Sequence, residues 1–88
     1  MYEYRVKIYR CDERVDADFA RKVAKLAVAE YEDFTEVELE IPEWKELFIS
    51  VVIHTTCFSY HDTRNRFFKV VSTLAAEMGF KYKEYSQY

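Results

Sequence analysis

Three short stretches hold the residues whose types suit chemistry. The first, HTTCFSYHD, brings His54, Cys57, His61 and Asp62 together in the chain. Imidazole, thiolate and carboxylate are zinc ligands. The spacing H-x2-C-x3-H follows no strong metal signature. It reads more simply as a helix cap, a small buried thiol and two surface histidines. A metal here would use His54, Cys57, His61 and Asp33. The second stretch, YRCDERVD, holds Asp12, Glu13 and Asp16 and reads as a solvated turn that ends in a helix N-cap. The third is TEVELEIPEW. Glu36, Glu38 and Glu40 alternate with Val37, Leu39 and Ile41, then Pro42 and Trp44 follow. Carboxylates two residues apart on a strand line one face. The chain shows no Ser-His-Asp set and no Cys-x-x-Cys, and its single glycine excludes a glycine-rich phosphate loop. No catalytic residue, cofactor or metal is expected, and the chain reads as non-enzymatic.

Half of the 88 residues are hydrophobic, with eight Tyr and seven Phe, so one domain over residues 1–88 has ample material for a core. No apolar run reaches membrane-spanning length. The charged, alternating MYEYRVKIYR is not a signal peptide. Two cysteines are too few for a disulfide scaffold, so a reducing cytoplasm with Cys11 and Cys57 free is expected. The net charge of −3 hides a split. Residues 30–46 carry eight acids against Lys45 alone, net −7, and the remainder is net +4. Such a split bears on partners rather than on fold.

The elements that position these residues follow from periodicity. Tyr4, Val6 and Ile8 alternate with Arg5, Lys7 and Tyr9, which predicts a strand over Tyr2–Arg10. Asp16 caps a helix expected from about Ala17 to Glu32, with Phe19, Val23, Leu26, Ala27 and Tyr31 at helical spacing. A strand from Phe34 to Ile41 is expected with Thr35, Val37, Leu39 and Ile41 inward, stopped by Pro42. The apolar run Leu47–Thr55 reads as a central strand. Ser59 and Asp62 form a capping-box pattern before a helix that ends at Met78, with Gly79 as its C-terminal stop. Phe67, Val70, Val71, Leu74 and Met78 share its apolar face. A last strand is expected from Phe80 to about Tyr85.

The order β-α-β-β-α-β resembles the ferredoxin-like fold over the whole chain. That resemblance implies an α+β sandwich with antiparallel sheet order 4-1-3-2 and both helices on one face. It puts the second strand at an edge. Pairing Ile41 with Leu47 sets Glu40 opposite Phe48, Glu38 opposite Ser50 and Glu36 opposite Val52, with no base beside any of them. It also puts Cys11 and Cys57 at opposite ends of the sheet, too far apart to bond.

The helix-free face then carries a basic, aromatic half (Arg5, Lys7, Tyr9, Phe48, Val52, His54, Lys81, Lys83, Tyr85) beside the acidic edge. Exposed aromatics in a cluster mark an interface. The expected activity is protein binding, to a partner or to a second copy as a homodimer, through Glu36, Glu38, Glu40, Trp44, Tyr9, Phe48 and Val52. A charged edge also guards against strand-to-strand aggregation. A small acidic binder of this kind is similar to inhibitors that phages and mobile elements encode. The alternative is nucleic-acid binding. The topology resembles the RNA-recognition module, which stacks bases on the first and third strands. Here Arg5, Lys7, Tyr9, Phe48, Lys81 and Lys83 would serve. A metal-dependent enzyme is the third reading. The acid after the first strand resembles one in the small ferredoxin-like subunit of the CRISPR adaptation machinery, which implies a metal role for Asp12. No membrane partner is expected.

Overall fold

The computed structural model describes residues 1–10, 12–40 and 48–82. Cys11, Trp44, Lys83 and Tyr85 lie outside these residues, as do Ile41, Pro42 and Leu47. Along the chain run β1 (Tyr2–Tyr9), α1 (Ala17–Glu30), β2 (Phe34–Glu40), β3 (Phe48–Thr55) and α2 (Tyr60–Met78). Among the described residues the sheet has three strands in the order β1-β3-β2. All neighbours are antiparallel.

Both helices start where a side chain satisfies free backbone donors. Asp16 accepts from the Phe19 amide at 2.9 Å, and Ser59 accepts from the Asp62 amide at 3.2 Å. α1 ends at Glu30, two residues before the expected Glu32. Gly79 ends α2 with φ 77°, and the amides of Gly79 and Phe80 return to the carbonyls of Ala76 and Ala75. A left-handed residue at this point favours glycine, which carries no Cβ.

The two helices cover one face of the sheet and touch each other. The core joins Val6 and Ile8 of β1, Ile49, Val51 and Ile53 of β3, Phe19, Val23 and Ala27 of α1, and Phe67, Val70, Val71 and Leu74 of α2. The inner stripe of α1 is offset from the expected one. Ala20 and Ala24 are buried, whereas Leu26 is exposed, and Met78 at the end of α2 is exposed as well. Phe19 and Val23 keep their inward places beside Ala20, Ala24 and Ala27, and Leu26 is left on the flank.

Two features of β2 correct the expected pairing. Phe34 lies opposite Thr55 and Glu36 opposite His54, so Thr35 is an extra residue, a β-bulge. Phe34 is buried and Thr35 exposed, the reverse of the expected facing. Thr35 donates from Oγ1 to the His54 carbonyl at 3.1 Å. Beyond the bulge, Glu38 lies opposite Val52 and Glu40 opposite Ser50, two residues from the expected register. A slip of two preserves every side chain's facing, so the apolar pattern cannot distinguish the two registers. The expected inward residues Val37 and Leu39 are half-buried against the core.

The fourth strand is not seen among the described residues. Phe80, Lys81 and Tyr82 belong to no strand, and the rest of that expected element lies outside them.

Candidate functional site

The helix-free face is built in rows across three strands. One row runs Glu36, His54, Glu3; the next Glu38, Val52, Arg5; the next Glu40, Ser50, Lys7; and the last pairs Phe48 with Tyr9. Period-two facing turns all of these side chains away from the helices. An acidic column on β2 therefore stands across β3 from the bases Arg5 and Lys7 of β1, with Glu3 at one end of the β1 column and an aromatic corner at the other.

The glutamates are not all without partners, as the expected register had implied. Arg5 Nε lies 3.1 Å from Glu40 Oε1, reaching across β3. The slip of two residues brings Glu40 level with Lys7, close enough for Arg5 to meet it. Both groups are largely exposed, so the bridge contributes at most about 1 kcal/mol. His54 Nε2 lies 3.5 Å from Glu38 Oε2. That is an ion pair only when the imidazole is protonated, and Nε2 itself has no hydrogen-bond partner among the described residues.

Val52, expected as a contact residue, is only 4 % exposed. It lies on the central strand between Arg5 and Glu38, and its flanks shield it. At the aromatic corner the rings of Tyr9 and Phe48 are 5.6 Å apart, and Lys7 Nζ lies 5.9 Å from the Phe48 centroid. Lys81 is exposed beyond α2. Trp44 and Lys83, the other two expected contact residues, fall outside the described residues.

The four residues that a metal in this stretch would use, His54, Cys57, His61 and Asp33, do not form one cluster among the described residues. His54 faces Glu36 and Glu38 on the open face. Asp33 Oδ2 instead accepts from Arg66 at 2.8 Å. Cys57, a half-buried free thiol, donates from Sγ to the Ser59 carbonyl at 3.6 Å. His61 Nε2 is 3.1 Å from Asn65 Nδ2, within its own helix. Cys57 and His61 are engaged within a few residues of themselves, Asp33 is engaged by α2, and the imidazole of His54 belongs to a different neighbourhood.

The acids after β1 also act locally. Asp16 is the α1 cap, and Glu13 is exposed. Asp12 accepts from Arg14 Nη2 at 2.7 Å, from Arg14 Nε at 3.0 Å and from the Arg14 amide at 2.9 Å. The side-chain hydrogen bonds from Arg14, and then its backbone one, lower the Asp12 pKa from 3.8 to about 2. A carboxyl held below its unfolded value contributes stability that is fully present above that value and lost as pH falls through the folded one. Thermal melts should therefore show an acid-side loss between about pH 4 and pH 2 that shrinks in Asp12→Asn. An unchanged loss in that variant would show that other carboxyls govern it.

Sequence reasoning missed an aromatic cluster at the other end of the sheet. Tyr2 stacks on Tyr4 with centroids 6.2 Å apart, Phe58 meets Tyr2 edge-on at 5.6 Å, and Tyr60 meets Tyr4 at 5.6 Å. The Tyr4 hydroxyl donates to the carbonyls of Phe58 and Cys57. Phe58 is 79 % exposed. The signal was the Tyr-x-Tyr repeat in β1 together with the aromatics before α2, which meet only once β1 pairs with β3. On the helix side, a groove of about 670 Å³ between α1 and β2 is lined by Ala24, Val28, Val37, Leu39 and Ile49.

No helix of the described residues is long and apolar enough to cross a membrane. Comparison with known proteins finds no matching family model, no matching curated protein and no matching solved structure, so the functional reading rests on these residues and their geometry.

Proposed function

We propose that this chain is a non-enzymatic protein-binding module that docks a partner on the helix-free face and the β2 edge, through Glu36, Glu38, Glu40, Tyr9 and Phe48. The observation that carries this reading is the acidic column of β2 across β3 from the bases Arg5 and Lys7 of β1, on a face that neither helix covers. Complementary columns steer encounter and fix register. Two partners suit them: a protein with a basic strip, or a second copy turned about a two-fold axis so that the acidic column meets the basic one.

The fold proposed for the module is ferredoxin-like. The observed order β1-β3-β2 is 4-1-3-2 without its first edge strand. After Gly79, Phe80 is buried, Lys81 exposed and Tyr82 half-buried, an alternation suited to a strand beside β1.

The alternative reading, nucleic-acid binding on the same face, has the Tyr9–Phe48 corner and Lys7 in its favour. Against it, Arg5 is engaged by Glu40, and the acidic column would repel phosphates.

The test replaces Glu36, Glu38 and Glu40 together with Gln, which keeps shape and polarity but removes charge. Solution mass is measured across salt concentrations, together with capture of partners from a cell lysate and binding to a single-stranded oligonucleotide. The expected result is a folded variant that loses its partner or its dimer by about tenfold or more in affinity and loses the salt dependence. Unchanged association would leave the glutamates as a guard on the edge strand. Oligonucleotide binding that falls steeply with salt in the parent chain would favour the alternative.

A further inference from the structure

We propose that Glu36, Glu38 and His54 form a site for one divalent transition-metal cation, of zinc or cobalt type, on the helix-free face at the β2 edge. The bulge at Thr35 and the register of β2 place these three groups together. Glu36 lies opposite His54, and Glu38 follows two residues along on the same face. One ligand atom from each lies within 4.8 Å of the others. Around a tetrahedral zinc ion with bonds near 2.0–2.2 Å, ligand atoms stand roughly 3.3–3.6 Å apart. His54 Nε2 and Glu38 Oε2, at 3.5 Å, already have that separation. Glu36 is exposed and closes the remainder by turning its side chain.

The imidazole distinguishes this group from a mere cluster of acids. His54 Nε2 is shielded from solvent and has no hydrogen-bond partner among the described residues. An imidazole nitrogen beside two carboxylates is a ligand atom that a cation would satisfy. Imidazole with carboxylates selects zinc, cobalt or nickel over calcium or magnesium, which prefer all-oxygen sites. The surrounding charge agrees. Glu3 stands beside His54 on β1 and adds a third carboxylate to the neighbourhood of Glu36 and Glu38. Arg5, the nearest base in the rows, is drawn to Glu40 and so does not neutralise Glu38. Three protein ligands on an open face leave the fourth position to water or to a partner's side chain.

The inference does not depend on the docking reading, and His54→Gln separates the two, because it leaves the acidic column intact. Tag-free protein stripped with a chelator is titrated with Zn²⁺ by calorimetry and with Co²⁺ by visible absorption. One equivalent should bind. His54→Gln and Glu36→Gln should each weaken it by about tenfold or more. His61→Gln and Cys57→Ser should leave it unchanged. In the parent chain, Zn²⁺ should shift the imidazole resonances of His54 and leave those of His61 in place, a readout that needs no variant to fold. Absence of saturable uptake, uptake retained in His54→Gln, or uptake lost in Cys57→Ser would each overturn the site.

Discussion

A Phe67→Ala chain is expected to be about 3–5 kcal/mol less stable than the parent. Phe67 lies on the inner face of α2, is fully buried, and meets Phe68 edge-to-face with centroids 5.7 Å apart. Truncation removes the ring's burial and leaves a cavity between helix and sheet that neighbouring side chains fill only in part. A domain of this length has a total stability of roughly 4–13 kcal/mol, so the loss takes a large share of it. Denaturant unfolding should show a lower midpoint with an unchanged slope. Phe58→Ala is the matched control, since that ring is mostly exposed, and its effect should stay within about 0.5 kcal/mol. A Phe67 variant that behaves like the Phe58 variant would remove Phe67 from the core and with it the placement of α2.

The second large effect is expected where the chain leaves α2. Phe80→Ala should cost about 3 kcal/mol, an unusual value for a residue outside any helix or strand. Its ring packs edge-on against Phe19 at 5.3 Å, and the Arg14 guanidinium covers it at 4.6 Å. Phe80 thus closes the bottom of α1 from the far end of α2. Two residues on, Tyr82 lies against Phe68 at 6.0 Å. Both contacts face the helices, as those of a strand beside β1 would. Amide exchange tests that strand separately. Pairing with β3 alone protects alternate amides of β1, because the others point away from it. Protection of both sets would supply the missing neighbour. Protection of one set only would leave β1 as an edge and refute the four-stranded fold.

Much of this architecture was legible because it is written in periodicity and caps. Val6 and Ile8, the apolar run of β3, Asp16, Ser59 and Gly79 each specify a local structure on their own. What was not legible depends on distance along the chain. The two-residue slip of β2 leaves every side chain on its proper face, so no apolar pattern reports it. Yet it decides the chemistry of the face. In the expected register Glu40 would stand level with Tyr9, about 13 Å along the sheet from Arg5; in the observed one the offset is about 7 Å, and the bridge forms. The same slip sets Glu36 against His54, where the expected register had Val52. The sequence showed His54 beside Cys57 and His61, and nearness in sequence proved a poor guide to nearness in space. The bulge was hidden for a related reason. Thr35 is a good strand residue on either face, so nothing in its type marks it as the extra one.

The sheet order also sets a timetable for synthesis. β1 is made first, yet its described partner is β3, not the strand that follows it in the chain. The closest pair, Tyr9 with Phe48, is roughly 40 residues apart, which a ribosome spans in several seconds at about 5–20 residues per second. For that interval Val6 and Ile8 have no sheet to join. α1 can form at once and offers its Phe19 and Val23 as a temporary shelter, while β2 and β3 are neighbours in the chain and pair as soon as both emerge. Among the described strands, β1 is therefore made first, and its pairing waits until β3 has been made.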